Sequence, residues 1–183
     1  MKTDAKIVSM RPEDKIIVRR EDTEDSEERS VIHLINKTAF GSQDEADLVD
    51  ELRAEGAVLV SLVAEIQERI VGHILFSRMS IETTGGPVQA AALAPMAVLP
   101  EHQRRGIGGR LVRHGLNLLR DRGEQIVIVV GHPNYYPRFG FSSEKALSLE
   151  GPFPQDAFMA MELRHGALEG VRGTVRYPAA FKI

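Results

Sequence analysis

The spacing of apolar and polar residues changes several times along this chain, and each change marks an element. Up to Ile16, charges mix with single apolar residues at no fixed period, which predicts an arm over residues 1–14 leading into a first strand near Lys15 to Arg19. The acidic stretch "EDTEDSEERS" runs into Val31, Ile32, Leu34, Ile35 and Ala39, apolar positions at helical spacing. These acids read as the solvated start of a helix, where negative charge suits the helix dipole. A second helix is expected over Glu45 to Ala54, with Ala46, Leu48, Val49 and Leu52 on one side and Gly56 as its stop.

From Val58 the pattern becomes that of strands. "VLVSLVAEI" and "IVGHILFS" are rich in β-branched residues, and the polar "QER" between them predicts a hairpin. "ETTGGPVQ" reads as a loop, and Ala90 to Leu99 is apolar on both alternating faces, as a central strand is. A helix with Ile107, Leu111, Val112, Leu116, Leu118 and Leu119 on its apolar face follows and stops at Gly123. "IVIVV", Ile126 to Val130, completes a strand–helix–strand unit, for which parallel pairing is expected. "FMAMEL" and "GTVRYPAAF" predict two last strands.

Composition narrows the class. With 183 residues the chain fits one domain, expected over residues 15–183, and 43% hydrophobic with 27% charged residues is ordinary for a globular protein. No run approaches the roughly 20 apolar residues of a spanning helix, so no membrane role is expected. The absence of cysteine excludes disulfides, thiolate metal sites and a cysteine nucleophile, and with no secretory segment at the start the expected location is cytoplasmic. Six histidines occur without an HxH or HExxH pair, so no metal is expected, and "GxSxG" of serine hydrolases does not occur. A net charge of −3 disfavours nucleic-acid binding, for which only a local patch of Arg104, Arg105, Arg110 and Arg113 could serve.

The chemistry concentrates in "VLPEHQRRGIGGRLV", Val98 to Val112. Glycine inside a helix costs about 0.5–1 kcal/mol relative to alanine, so Gly106, Gly108 and Gly109 at a helix start need a reason. A helix N-terminus offers unpaired N–H groups and a partial positive charge, and glycines let phosphate oxygens approach them. The Walker pattern fails because no lysine follows, and the dinucleotide fingerprint fails because its third glycine position falls on Leu111. The pattern [QR]-x-x-G-x-[GA] fits through Gln103, Gly106 and Gly108.

With these residues "MAVLPEHQRRGIGGRLV" resembles the acetyl-CoA loop of the GNAT superfamily of N-acetyltransferases, and "YYPRFGF", Tyr135 to Phe141, resembles a segment near the end of that fold. The resemblance covers roughly Ile16 to Leu163. It implies an α/β fold: a mixed, largely antiparallel twisted sheet with a central parallel pair, flanked by helices. It also implies an acetyl-CoA-dependent enzyme acting on a primary amine of a small molecule or peptide. Met96, Ala97 and Val98 would pair with the pantetheine arm, and Gln103, Arg104, Arg105, Gly106, Ile107, Gly108 and Gly109 would hold the pyrophosphate. Tyr136 matches the family's acid for the departing thiolate, the alternative being a core tyrosine beside Phe139 and Phe141, and an N–H near Val98 would bind the oxyanion. The chain departs from the pattern in two places. Ala90 to Leu99 holds no acid, leaving a water relay to Glu65 or His73 as the candidate base, and Val129 stands where relatives often carry asparagine, which Asn134 would replace. A non-catalytic acyl-CoA-binding module is the alternative that the missing acid suggests.

Overall fold

The computed structural model describes residues 15–183; the expected arm over residues 1–14 lies outside the described residues. Strand β1 (Ile17–Arg20) is followed by helices α1 (Ser26–Phe40) and α2 (Asp44–Ala54) and strands β2 (Val58–Ile66), β3 (Arg69–Thr83) and β4 (Gly86–Val98). Helix α3 (Ile107–Asp121) leads to β5 (Ile126–Val130), β6 (Leu149–Glu150), β7 (Phe158–Glu162) and β8 (Gly173–Arg176). The strands form one sheet in the order β1-β2-β3-β4-β5-β7, with β8 attached to the far end of β3 and β6 to β8. Pairing is antiparallel along this path except between β4 and β5, the expected central parallel pair, and a two-residue parallel contact joins β6 to β8.

Helices cover both faces of the sheet. On one, Ile32 of α1 and Val49 and Leu52 of α2 bury against Val63 and Leu75. On the other, Ile107, Leu111, Val112 and Leu116 of α3 bury against Ile74 and Phe76. Small residues set the height of α3: a Cβ on Gly115 would lie 2.2 Å from the Phe76 ring, and one on Gly72 would lie 3.2 Å from both the Ala97 carbonyl and Ile107. The acidic stretch starts α1 as expected, with Asp25 accepting hydrogen bonds from the N–H groups of Glu27 and Glu28. It is not all solvated, because Glu28 is buried and binds Arg19. No helix of the described residues is long and apolar enough to cross a membrane.

Three expectations need correction. The segment "ETTGGPVQ" is not a loop: β3 continues to Thr83 and β4 begins at Gly86, so the hairpin turn is only Thr84 and Gly85. The Thr83 hydroxyl closes that turn by donating to the Gly86 carbonyl at 2.7 Å and accepting from the Gly85 N–H at 3.1 Å, and Gly86 takes a φ of +110°. "GTVRYPAAF" is strand only through Arg176; beyond Pro178 the chain makes a 3-10 turn over Ala179–Phe181. The first strand begins at Ile17 rather than Lys15. In the other hairpin, Gln67 and Glu68 both take positive φ, 51° and 61°, as a two-residue turn between twisted strands requires.

Candidate active site

The site begins with a defect in β4. Phe76 pairs with Leu93 and Ile74 with Met96, so Ala94 and Pro95 stand opposite the single residue Leu75. This bulge bends the strand where its pairing with β5 ends, at Leu93 and Val129. Beyond it, β4 has β3 on one side and a gap on the other. The Leu99 N–H donates to the Val71 carbonyl at 2.9 Å, and in an antiparallel ladder the polar groups of alternate residues then share one direction. The N–H and C=O groups of Ala97 therefore face His73 on β3, while those of Met96 and Val98 face the gap. The Val98 carbonyl accepts from the Gln103 side-chain amide at 3.0 Å, which ties the following loop to this open edge.

That loop turns sharply into α3. Arg104 and Gly106 take φ values of 59° and 83°, and the first helical hydrogen bond runs from the Arg110 N–H to the Gly106 carbonyl. The main-chain N–H groups of Arg104, Gly106, Ile107, Gly108 and Gly109 find no acceptor among the described residues. They converge at the positive end of a fifteen-residue helix. The three glycines serve different ends. Gly106 supplies the left-handed backbone, whereas a Cβ on Gly108 would stand 2.6 Å from the Tyr135 hydroxyl; Gly109 faces only the flexible end of Arg113, at 3.3 Å, and the edge of Phe139.

A cavity of about 620 Å³ opens over these groups. Eight of the ten residues expected to bind a cofactor line it: Met96, Val98, Gln103, Arg104, Gly106, Ile107, Gly108 and Gly109. The other two do not. Ala97 turns its polar groups to β3, and the Arg105 guanidinium lies 3.2 Å from the His102 ring. Of the four arginines considered for nucleic acid, Arg104 and Arg113 line this cavity. Arg138 was not singled out by the sequence; it lies over the Tyr135 ring at 4.2 Å, and Arg113 lies over Phe139 at 5.2 Å. Three guanidinium groups thus give a chain of net negative charge one cationic cleft.

Tyr136 belongs to a second cavity, of about 480 Å³, on the side of α1 and α2. The two cavities share Met96 and Tyr135 as a common wall. The Tyr136 ring lies flat against Gly131, where a Cβ would come within 2.3 Å, and meets Tyr135 and Phe141 edge to face at 5.1 and 5.8 Å. Its hydroxyl takes part in no hydrogen bond of the described residues, and burial, followed by the neighbouring Tyr135, pushes its pKa up to about 12. Burial also raises that of Tyr135, against the opposing charges of Arg138 and Arg113.

Neither candidate base reaches a cavity. Glu65 accepts from the Arg19 guanidinium at 2.9 Å on the β1 side of the sheet. His73 is wholly buried between Ser61 and Asn36, at 3.0 and 3.1 Å, and burial with the nearby Arg53 charge lowers its pKa to about 3. Asn134 is exposed and lines neither cavity. The second cavity instead brings in Phe40, Glu45, Leu48 and His132, none of which the sequence marked for a site, because the first three come from helices some forty residues before β4. Among the described residues no cluster of three or more histidines and acids could hold a metal ion.

Comparison with known proteins agrees with this geometry. The profile of an acetyltransferase (GNAT) domain matches residues 20–143. YjhQ of Escherichia coli K12, named an uncharacterized N-acetyltransferase, is 39% identical over 137 residues, covering 72% of this chain and 76% of its own. The crystal structure of the E. coli GNAT-family N-acetyltransferase YhbS in complex with CoA superimposes with a TM-score of 0.85 at 31% identity over 96% of both chains. A GNAT-family acetyltransferase from Brucella melitensis, solved with acetyl-CoA, gives a TM-score of 0.75 at 32% identity over 91% of this chain and 98% of that one. A bulged central strand, an unpaired glycine-rich helix start and a matching sequence over two thirds of the chain lead to one conclusion: this protein belongs to the GNAT family of acetyltransferases.

Proposed function

We propose that this chain moves an acetyl group from acetyl-CoA to a primary amine of a small molecule or peptide, by direct attack of the amine on the thioester, within one domain over residues 15–183. The observation that carries this reading is the set of unpaired N–H groups of Arg104, Gly106, Ile107, Gly108 and Gly109 lining one cavity that shares a wall with another. Similarity to proteins crystallised with CoA and acetyl-CoA supports it. A cytoplasmic location goes with it, on the strength of a sequence without cysteine.

The residues fit the cosubstrate. A diphosphate needs several donors within about 2.7–3.2 Å, and the start of α3 offers them with Arg104, Arg113 and Arg138 alongside. An amide-bearing arm needs a strand edge, which Met96 and Val98 present. Bound there, acetyl-CoA supplies an activated acyl group. The Met96 or Val98 N–H stabilises charge on the thioester oxygen, and Tyr136 gives its phenolic proton to the leaving sulfur. A phenol whose pKa is about 12 stays protonated throughout the physiological range, as an acid must.

Free thiol measured while the protein is incubated with acetyl-CoA and a panel of primary amines tests the proposal. Thiol release that depends on the amine is expected, together with thermal stabilisation by acetyl-CoA, worth about 2.7 kcal/mol at a hundredfold excess over Kd. The acid-free β4 favours a second reading, a binding module without turnover; stabilisation by acetyl-CoA with no thiol release from any amine would select it. No stabilisation by acetyl-CoA would exclude both.

A further inference from the structure

The second cavity has a composition that specifies more than an amine. Its walls are apolar, from Leu48, Leu93, Pro95 and Met96, and its rim carries Phe40 and Val130, which leave 45% and 39% of their surface exposed. Exposed apolar side chains gathered at the rim of a cavity mark a place where apolar surface is meant to be covered. A single acid lines it. Glu45, in the first turn of α2, is half-buried, and its Oε2 accepts from the Ser42 hydroxyl at 3.0 Å. Its other oxygen has no partner among the described residues, and no lysine or arginine of those residues pairs with it. The remaining ionisable groups of the cavity, His132, Tyr135 and Tyr136, carry no standing negative charge.

We infer that Glu45 is the carboxylate that holds the incoming ammonium group and takes its proton, and that the cavity selects a monoamine with an alkyl or aryl body. This rests on the acetyltransferase reading above and supplies the acid that β4 lacks. The ammonium gives one proton to the Glu45 carboxylate. The freed nitrogen lone pair forms the bond to the acyl carbon while the carbon–sulfur bond breaks, and Tyr136 protonates the sulfur. The second nitrogen proton restores the Tyr136 phenol, and the proton on Glu45 passes to solvent, leaving amide, thiol and one released proton. A polyamine or a sugar amine would present charge or hydroxyls to apolar walls that cannot pair them.

The test uses the full chain with ethylamine, butylamine, hexylamine, 2-phenylethylamine and spermidine as acceptors. For the wild type, kcat/KM is expected to rise about fourfold per methylene along the alkyl series, with 2-phenylethylamine well above spermidine. Glu45→Gln keeps the size of the side chain and should raise KM for 2-phenylethylamine at least tenfold while KM for acetyl-CoA stays within twofold; Glu45→Asp should recover part of the loss. Phe40→Ser, on an exposed rim position, should flatten the alkyl series. The inference is overturned if spermidine is preferred, if the alkyl series is flat in the wild type, or if Glu45→Gln leaves the amine KM unchanged. Failure of the acetyltransferase reading shows separately, as wild-type protein that releases no thiol with any amine, and it takes this inference with it.

Discussion

Tyr136→Phe is expected to lower kcat by about two orders of magnitude, the usual loss when a positioned general acid is removed, while KM for acetyl-CoA and thermal stability hardly move. The reasoning is local. The ring packs between Gly131, Tyr135 and Phe141, and phenylalanine repeats every one of those contacts. The hydroxyl bonds to no described residue, so its removal leaves no buried group unpaired. What disappears is the proton for the departing sulfur. Because burial raises the Tyr136 pKa to about 12, the phenol keeps its proton up to about pH 10. The wild-type kcat should therefore show no alkaline decline from loss of the phenol proton up to about pH 10. Steady-state kinetics at several pH values measure both, and a variant turning over within twofold of wild type would remove Tyr136 from the mechanism.

The second large effect concerns stability. His73 sits at the centre of a buried chain of hydrogen bonds: Asn36 donates to the Ile32 carbonyl and to His73 Nδ1, His73 Nε2 faces the Ser61 hydroxyl, and Ser61 donates to Glu21, which also accepts from Arg53. Since Ser61 gives its proton to Glu21, it must accept from Nε2–H, and the imidazole is neutral. Below its ordinary value of 6.5 the unfolded chain takes up a proton at His73, whereas the folded chain does not do so until about pH 3. Acid thus favours the unfolded state. This contribution is complete above pH 6.5 and is lost downward by roughly 1.4 kcal/mol per pH unit. Urea unfolding at pH 7, 6 and 5 should show the loss, and His73→Gln, though less stable at pH 7, should show a shallower decline. Parallel declines in the two proteins would rule His73 out as the source. The chain of bonds matters for function as well, because it anchors α1, the helix that ends in Phe40 at the rim of the acceptor cavity.

The sheet and the start of α3 were readable from sequence because their signals are local. β-branched runs at Val58 to Ile66 and Ile126 to Val130, and apolar spacing from Ile107 to Leu119, belong to elements whose core faces they determine. The strand end at Gly86 was hidden because two glycines and Pro87 imitate a loop, although a proline is tolerated where a strand pairs on one side only. The bulge at Ala94 and Pro95 depends on register with β3, which no single strand encodes. The cofactor cleft comes largely from one continuous stretch and could be outlined residue by residue. Its acceptor counterpart joins the end of α1, the start of α2, the bulge and the β5–β6 connection, and nothing in the spacing of Glu45 or Phe40 pointed to β4. Adjacent tyrosines also divide their roles by backbone direction: Tyr135 borders both cavities, whereas Tyr136 borders only the acceptor side.

The most direct measurement is an amide-resolved NMR titration of the full chain with CoA. Large shifts at the N–H groups of Gly106, Ile107, Gly108 and Gly109, saturating together with those of Met96 and Val98, are the predicted result. CoA that binds while those amides stay unmoved would show that the diphosphate is held elsewhere, and the account of the site would be wrong at its foundation.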